Sequence, residues 1–179
     1  SIENRLLFMK EIVNKIMDKG VKCDRIGIRL SPNGAFGGMG GEDNIELFTA
    51  AIEWLASKDL LYIHMMDGLG FGFHEKTSPF TLKMAKDIIN NKQKDKDNKK
   101  DNKTALIGNV GYTKQDAEDV INNEYADMIA FGRPYISNPD LVYRWQNGID
   151  LNPDAEYPDW WQWDKNEEGY IDFPIVRPE

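Results

Sequence analysis

Residues 104–109 read Thr-Ala-Leu-Ile-Gly-Asn, and residues 128–134 read Met-Ile-Ala-Phe-Gly-Arg-Pro. Each is a short apolar run that stops at a glycine. A helix-type segment follows each: Thr113 with Asp116 three residues on, and Asn138-Pro139 ahead of an amphipathic stretch. Buried strands that end at glycine beside helix N-termini are the building blocks of phosphate sites. Glycine lets backbone N–H groups approach an anion, and Arg133 adds a bidentate charged fork. Two such units in succession point to a phosphate-bearing ligand on an α/β scaffold.

Upstream, the same alternation continues, which makes the fold class α/β with parallel strands. Ile2, Leu6, Met9, Val13 and Ile16 recur at helical spacing, so a first helix is expected from Glu3 to Lys19, stopped by Gly20. A strand follows over Arg25–Leu30, then a glycine-rich loop from Pro32 to Gly41 and a helix opening near Asp43. Leu60–Met66 reads as the second strand. Ser78-Pro79 reads as the cap and first residue of helix three. Thr104–Asn109 and Asp127–Gly132 are strands three and four, with helix five over Asn138–Asn147. Residues 90–103 are Lys/Asp/Asn-rich and read as an exposed low-complexity insertion, since their acids interleave with their lysines. Residues 151–179 form an irregular aromatic tail, expected to pack as an ordered cover. No domain boundary is visible, so 1–179 reads as a single domain of four strands that opens on a helix with no strand before it.

Composition narrows the function. The chain has 179 residues, 41% hydrophobic and 29% charged, which are the values of a folded protein. A net charge of −8 argues against nucleic acid, which needs a basic surface. Cys23 is the only cysteine, so no internal disulfide can form. No apolar run is long enough to span a bilayer and the N-terminus lacks a signal-type core, so a cytoplasmic location is expected. Two histidines and one cysteine without ligand spacing give no metal site.

Arg29 is the most telling single residue. In strand one it alternates with Ile26, Ile28 and Leu30, sharing a face with Gly27. If helices cover the aliphatic face, Arg29 points the other way, near the strand's C-terminal end, where parallel barrels keep their active sites. Such an arginine needs an anion or an acceptor. Taken alone, an ion pair with an Asp or Glu is the simpler reading. His64 reads as a hydrogen-bonded core residue and His74 as a loop residue.

Several motifs then resemble one family. Ser1-Ile2-Glu3-Asn4-Arg5, Gly27-Ile28-Arg29-Leu30-Ser31-Pro32, Tyr62-Ile63-His64, Gly108-Asn109, Ala130-Phe131-Gly132-Arg133-Pro134 with Ser137-Asn138-Pro139-Asp140-Leu141, and Gly169-Tyr170-Ile171-Asp172-Phe173-Pro174 look like the Old Yellow Enzyme family. Those proteins are FMN-dependent ene-reductases on a TIM (β/α)8 barrel, with NAD(P)H as reductant. The resemblance covers essentially the whole chain and corresponds to the C-terminal half of the barrel, strands five to eight. It implies that Arg29 contacts the flavin pyrimidine edge. Gly108, Asn109 and Val110 would serve the phosphate and ribityl chain, and Gly132 and Arg133 the phosphate, bordered by Phe131. It also implies that Phe36 lines a substrate pocket and that Trp160 or Trp161 lies near the flavin.

The family's proton-donating Tyr and its pair of carbonyl-binding residues belong to the other half of the barrel, so no catalytic residue is expected here. The resemblance thus implies a chain inactive alone in reducing the C=C bond of α,β-unsaturated carbonyl compounds. An open half barrel should also need a partner: a complementary N-terminal half or a second copy of itself. The competing expectation is a non-catalytic flavin- or phosphate-binding module.

Overall fold

The computed structural model describes residues 1–94, 104–156, 167–169 and 171–176. It divides into two units, Ser1–Ala130 and Phe131–Glu179. The first unit carries the alternation. Helix α1 (Ile2–Asp18) starts where the Ser1 hydroxyl accepts the Asn4 N–H, and it buries Leu6 and Val13. Strand β1 (Gly27–Leu30), helix α2 (Asn44–Ala56), strand β2 (Tyr62–Met66), helix α3 (Leu82–Lys94), strand β3 (Ala105–Asn109), helix α4 (Lys114–Asn122) and strand β4 (Met128–Ala130) follow. The strands are parallel and lie in chain order β1-β2-β3-β4.

Period-two alternation splits the sheet into two unlike faces. Ile63, Met65 and Leu106 are fully buried on one, in a core with Ile52, Leu55, Leu60, Phe80, Leu82, Ala85 and Ile89 from the helices and their connections. Each of the larger of these side chains contributes roughly 1.5–3 kcal/mol on leaving water. The other face carries Gly27, Arg29, Tyr62, His64, Met66, Ile107, Asn109, Met128 and Ala130, all exposed or half-buried. Parallel sheets normally have both faces covered. Among the described residues, one side only is a dry core.

In the first unit the expected elements are all present, with shifted boundaries. Strand one begins at Gly27 rather than Arg25, because Cys23–Arg25 forms a 3-10 turn. Helix three does not start at Ser78-Pro79. Phe80 must be buried first, its main chain tied to Asn33, and the Thr81 hydroxyl then accepts the Met84 N–H to open α3. That helix runs to Lys94, into the expected insertion; residues 95–103 lie outside the described residues. Thr113 and Asp116 make the anticipated reciprocal cap of α4. Strand four is Met128–Ala130, shorter than expected at both ends. The Asp127 carboxylate takes the Leu106 N–H at 2.7 Å and the Lys86 ammonium at 2.6 Å.

The second unit corrects helix five. Two short helices, α5 (Arg133–Ser137) and α6 (Leu141–Gln146), replace the single one expected over Asn138–Asn147. Asn138 closes the first helix through its carboxamide on the Pro134 carbonyl, so it ends a helix rather than opening one. Arg144 is buried, paired with buried Asp140 at 2.8 Å, and donates to the carbonyls of Asp150 and Pro174. The Val176 N–H returns to Asp140, and Asn152 bridges Ser137 and Pro174. Pro174 and Val176 of the tail are therefore tied to Arg144, Asn152 and Asp140.

Candidate functional site

The exposed face of the sheet brings Arg29 together with two residues from neighbouring strands. In register, Arg29 of β1 stands opposite His64 of β2, and Met66 opposite Asn109 of β3. The Arg29 Nη1 lies 2.6 Å from His64 Nε2, and its Nη2 donates to Asn109 Oδ1 at 2.9 Å. The Asn109 amide is oriented by its own Nδ2, which donates to the Ala130 carbonyl of β4 at 2.7 Å. The same Nη1 lies 3.2 Å from His64 Nδ1, so either ring nitrogen of a neutral imidazole can supply the lone pair that accepts it. Burial and then the Arg29 charge hold the His64 pKa below its ordinary value. The neutral form is the one that accepts.

Arg29 thus lies on the predicted face and at the C-terminal end of its strand. Its partners differ from the simpler expectation. No Asp or Glu pairs with it among the described residues. His64 is not a core residue either; it is half-buried on the exposed face. Strand alternation in Tyr62-Ile63-His64 carried that signal, since Ile63 points into the core. Below this pair, Gly27 makes room for Tyr62: a Cβ at position 27 would land inside the tyrosine ring.

The rim above β2 and β3 is a second cluster. The Asp67 carboxylate accepts the Asn109 N–H at 3.1 Å and the Tyr112 hydroxyl. Burial pushes the Asp67 carboxyl up, against the pull of these two donors. Burial first, and then Asp67, raise the Tyr112 pKa far above its usual value, which keeps its proton in place as donor. The turn they bracket is strained: Val110 has φ of 89°, unfavourable for a β-branched residue. The Gly68 N–H donates to the Asn109 carbonyl, and the Gly68 backbone lies so close to the Val110 oxygen that no Cβ fits.

A buried asparagine that the sequence did not single out holds the loops above the sheet. Asn33 is 1% exposed, and it donates to the carbonyls of Asp67 and Phe80 and accepts the Phe80 N–H. Asn44 and His74 both reach the Pro32 carbonyl, and Lys76 reaches that of Gly40. The β1–α2 and β2–α3 loops are thereby stapled together. Only a tertiary contact identifies Asn33, since asparagine in a Pro-Asn-Gly stretch otherwise signals a turn.

The remaining candidates fall in different places. Gly108 faces the helices, where a Cβ would meet Leu82 at 2.6 Å and Ile129 at 2.8 Å. Its want of a side chain therefore lets α3 approach β3. Phe36 is 86% exposed on a 3-10 turn over Phe36–Gly38. In the second unit, Gly132 and Arg133 begin α5, and Phe131 packs edge-on against Trp145 at 4.7 Å. Trp160 and Trp161 lie outside the described residues. Among the described residues no helix is long and apolar enough to cross a membrane.

Residues 1–152 match the profile of the family described as NADH:flavin oxidoreductase / NADH oxidase. A protein of Claviceps fusiformis named "Probable inactive dehydrogenase easA" is 35% identical over 99% of this chain and 45% of its own length. A 12-oxophytodienoate reductase-like protein of Solanum lycopersicum is 32% identical over 85% of the chain and 36% of its own. Among solved structures, the Old Yellow Enzyme homologue of Zymomonas mobilis superposes with a TM-score of 0.78 and 27% identity, over 98% of this chain and 45% of that one. The old yellow enzyme of Trypanosoma cruzi gives 0.80 at 22% identity, over 99% and 42%. The chain spans less than half the length of these proteins, so its four-stranded sheet is part of a barrel.

Proposed function

Because the chain belongs to the NADH:flavin oxidoreductase / NADH oxidase family, we propose that it is the C-terminal portion of an FMN-dependent, NAD(P)H-using reductase of α,β-unsaturated carbonyl compounds. The observation that carries this reading is Arg29: a guanidinium at the strands' C-terminal ends, held by neutral acceptors and paired with no carboxylate among the described residues. Such a group suits the pyrimidine edge of a flavin, where negative charge collects on reduction. FMN, when bound, supplies hydride transfer between the nicotinamide and the unsaturated substrate.

The chain's own part is binding and orientation. Arg29 supplies charge at the ring edge. Asn109, Val110 and Gly108 shape the end of β3, while Gly132 and Arg133 serve the phosphate, with Phe131 beside it. Phe36 and Trp161 border the substrate. No proton donor to the substrate is assigned within the chain. The exposed sheet face and the two outer strands, β1 and β4, support a need for a complementary half barrel or a second copy.

Titration of the chain with FMN, followed by quenching of flavin fluorescence, tests the reading. Binding that is lost in Arg29→Met supports it; binding unchanged in that variant refutes it. Light scattering before and after FMN addition tests the partner, and a well-folded monomer that binds FMN at full strength would count against one. A second reading, a flavin-binding module without turnover, is favoured by one finding: several relatives are named inactive. Turnover of a simple enone by the chain together with a complementary N-terminal half separates the two, and turnover by the chain alone would refute the need for that half.

A further inference from the structure

The hydrogen bonds around Arg29 form a line across the whole sheet. The Ala130 carbonyl of β4 fixes the Asn109 amide of β3, Asn109 Oδ1 takes one arm of the Arg29 fork from β1, and His64 of β2 takes the other. Four strands each contribute one member, and none of the four is charged except the arginine. Arg29 stands directly opposite His64 but reaches past β2 to Asn109, one pleat further toward the C-terminal rim. Two of its five N–H groups are used in this way among the described residues, which leaves three for a ligand.

We propose that His64 is a positioning residue: with Asn109 it clamps the Arg29 guanidinium between neutral acceptors, so that the group is aimed at the rim while its whole charge stays available to an anionic, planar ligand edge. The role for that ligand rests on the flavin reading above; the clamp itself does not. A carboxylate at position 64 would hold the arginine more tightly, but it would cancel the charge the ligand needs. A flexible apolar residue would leave the charge and lose the aim. A neutral imidazole satisfies both demands. Asn109 cannot turn its amide over without giving up Ala130, so the second acceptor is fixed as well.

The test has two arms. Nitrogen-edited NMR of the arginine side chains in the whole chain reads the clamp without any ligand. Wild-type Arg29 should show distinct, slowly exchanging Nη signals. His64→Gln should keep them, and both His64→Ala and Asn109→Ala should merge them. Averaged Nη signals in the wild type would overturn the clamp, as would signals that stay distinct in both alanine variants. FMN titration is the second arm. His64→Glu should weaken binding about tenfold or more while His64→Gln stays within about threefold. Wild-type binding in His64→Glu would overturn the charge argument. Resolved signals that disappear in the alanine variants, together with no FMN binding by the wild type, would refute the flavin reading alone and leave the clamp standing.

Discussion

Replacing Asn33 with alanine should cost this protein a large part of its stability, although the change is small and removes no charge. The side chain is 1% exposed and makes three hydrogen bonds, to the Asp67 carbonyl at 2.7 Å, the Phe80 carbonyl at 3.0 Å and the Phe80 N–H at 2.8 Å. Alanine forfeits two donated bonds worth about 1 kcal/mol each. It also orphans an N–H beside the fully buried Phe80, at a further 1–3 kcal/mol or so, giving about 3–5 kcal/mol in all. A domain of this kind has roughly 5–15 kcal/mol to lose. Urea unfolding is the assay. The midpoint should fall by roughly 2 M at an unchanged slope. Asn44→Ala, which removes a single bond to the Pro32 carbonyl at 2.8 Å, should cost only about 1 kcal/mol. A loss below about 1 kcal/mol for Asn33→Ala, or no difference between the two variants, would refute the view that Asn33 locks the rim loops.

The other expectations concern sterics, charge and pH. Gly68→Ala should be far more damaging than Gly27→Ala. The first drives a Cβ into the Val110 backbone oxygen, whereas the second meets the Tyr62 ring, which can turn. Thermal melts should show the difference, and Tyr62→Ala should rescue only the position-27 variant. Arg144→Leu removes the guanidinium that neutralises buried Asp140 and frees the Asp150 and Pro174 carbonyls. A cost of about 3–5 kcal/mol is expected, with proteolysis at residues 150–176 as the readout; resistance equal to wild type would refute it. For pH, the folded-state pKa of His64 lies below its unfolded value of about 6.5. The unfolded chain therefore takes up that proton first. The histidine's contribution to stability is whole above about 6.5 and is lost as pH falls through the depressed folded value. His64→Gln should flatten this dependence between wild type and variant; an unchanged slope would refute it.

The order of elements was legible before any coordinates, because apolar spacing and punctuation are local. Alternation over Gly27–Leu30 and Tyr62–Met66 set the two faces of the sheet, and Thr113 with Asp116 marked a helix start from neighbouring residues alone. The face and the rim position of Arg29 followed from the same alternation. The partners of Arg29 did not. His64 lies 35 residues away and Asn109 lies 80 away, and the register that places them is a property of strands packed side by side. Asn33 was silent for the same reason, and so was the start of α3, moved past Ser78-Pro79 by the burial of Phe80. Local sequence determined which segments are strands and helices and which way their side chains alternate. Tertiary packing alone decided which acceptors meet the Arg29 guanidinium, and with them that its charge is left uncancelled, because hydrogen bonds between distant strands depend on register and burial that no short stretch encodes.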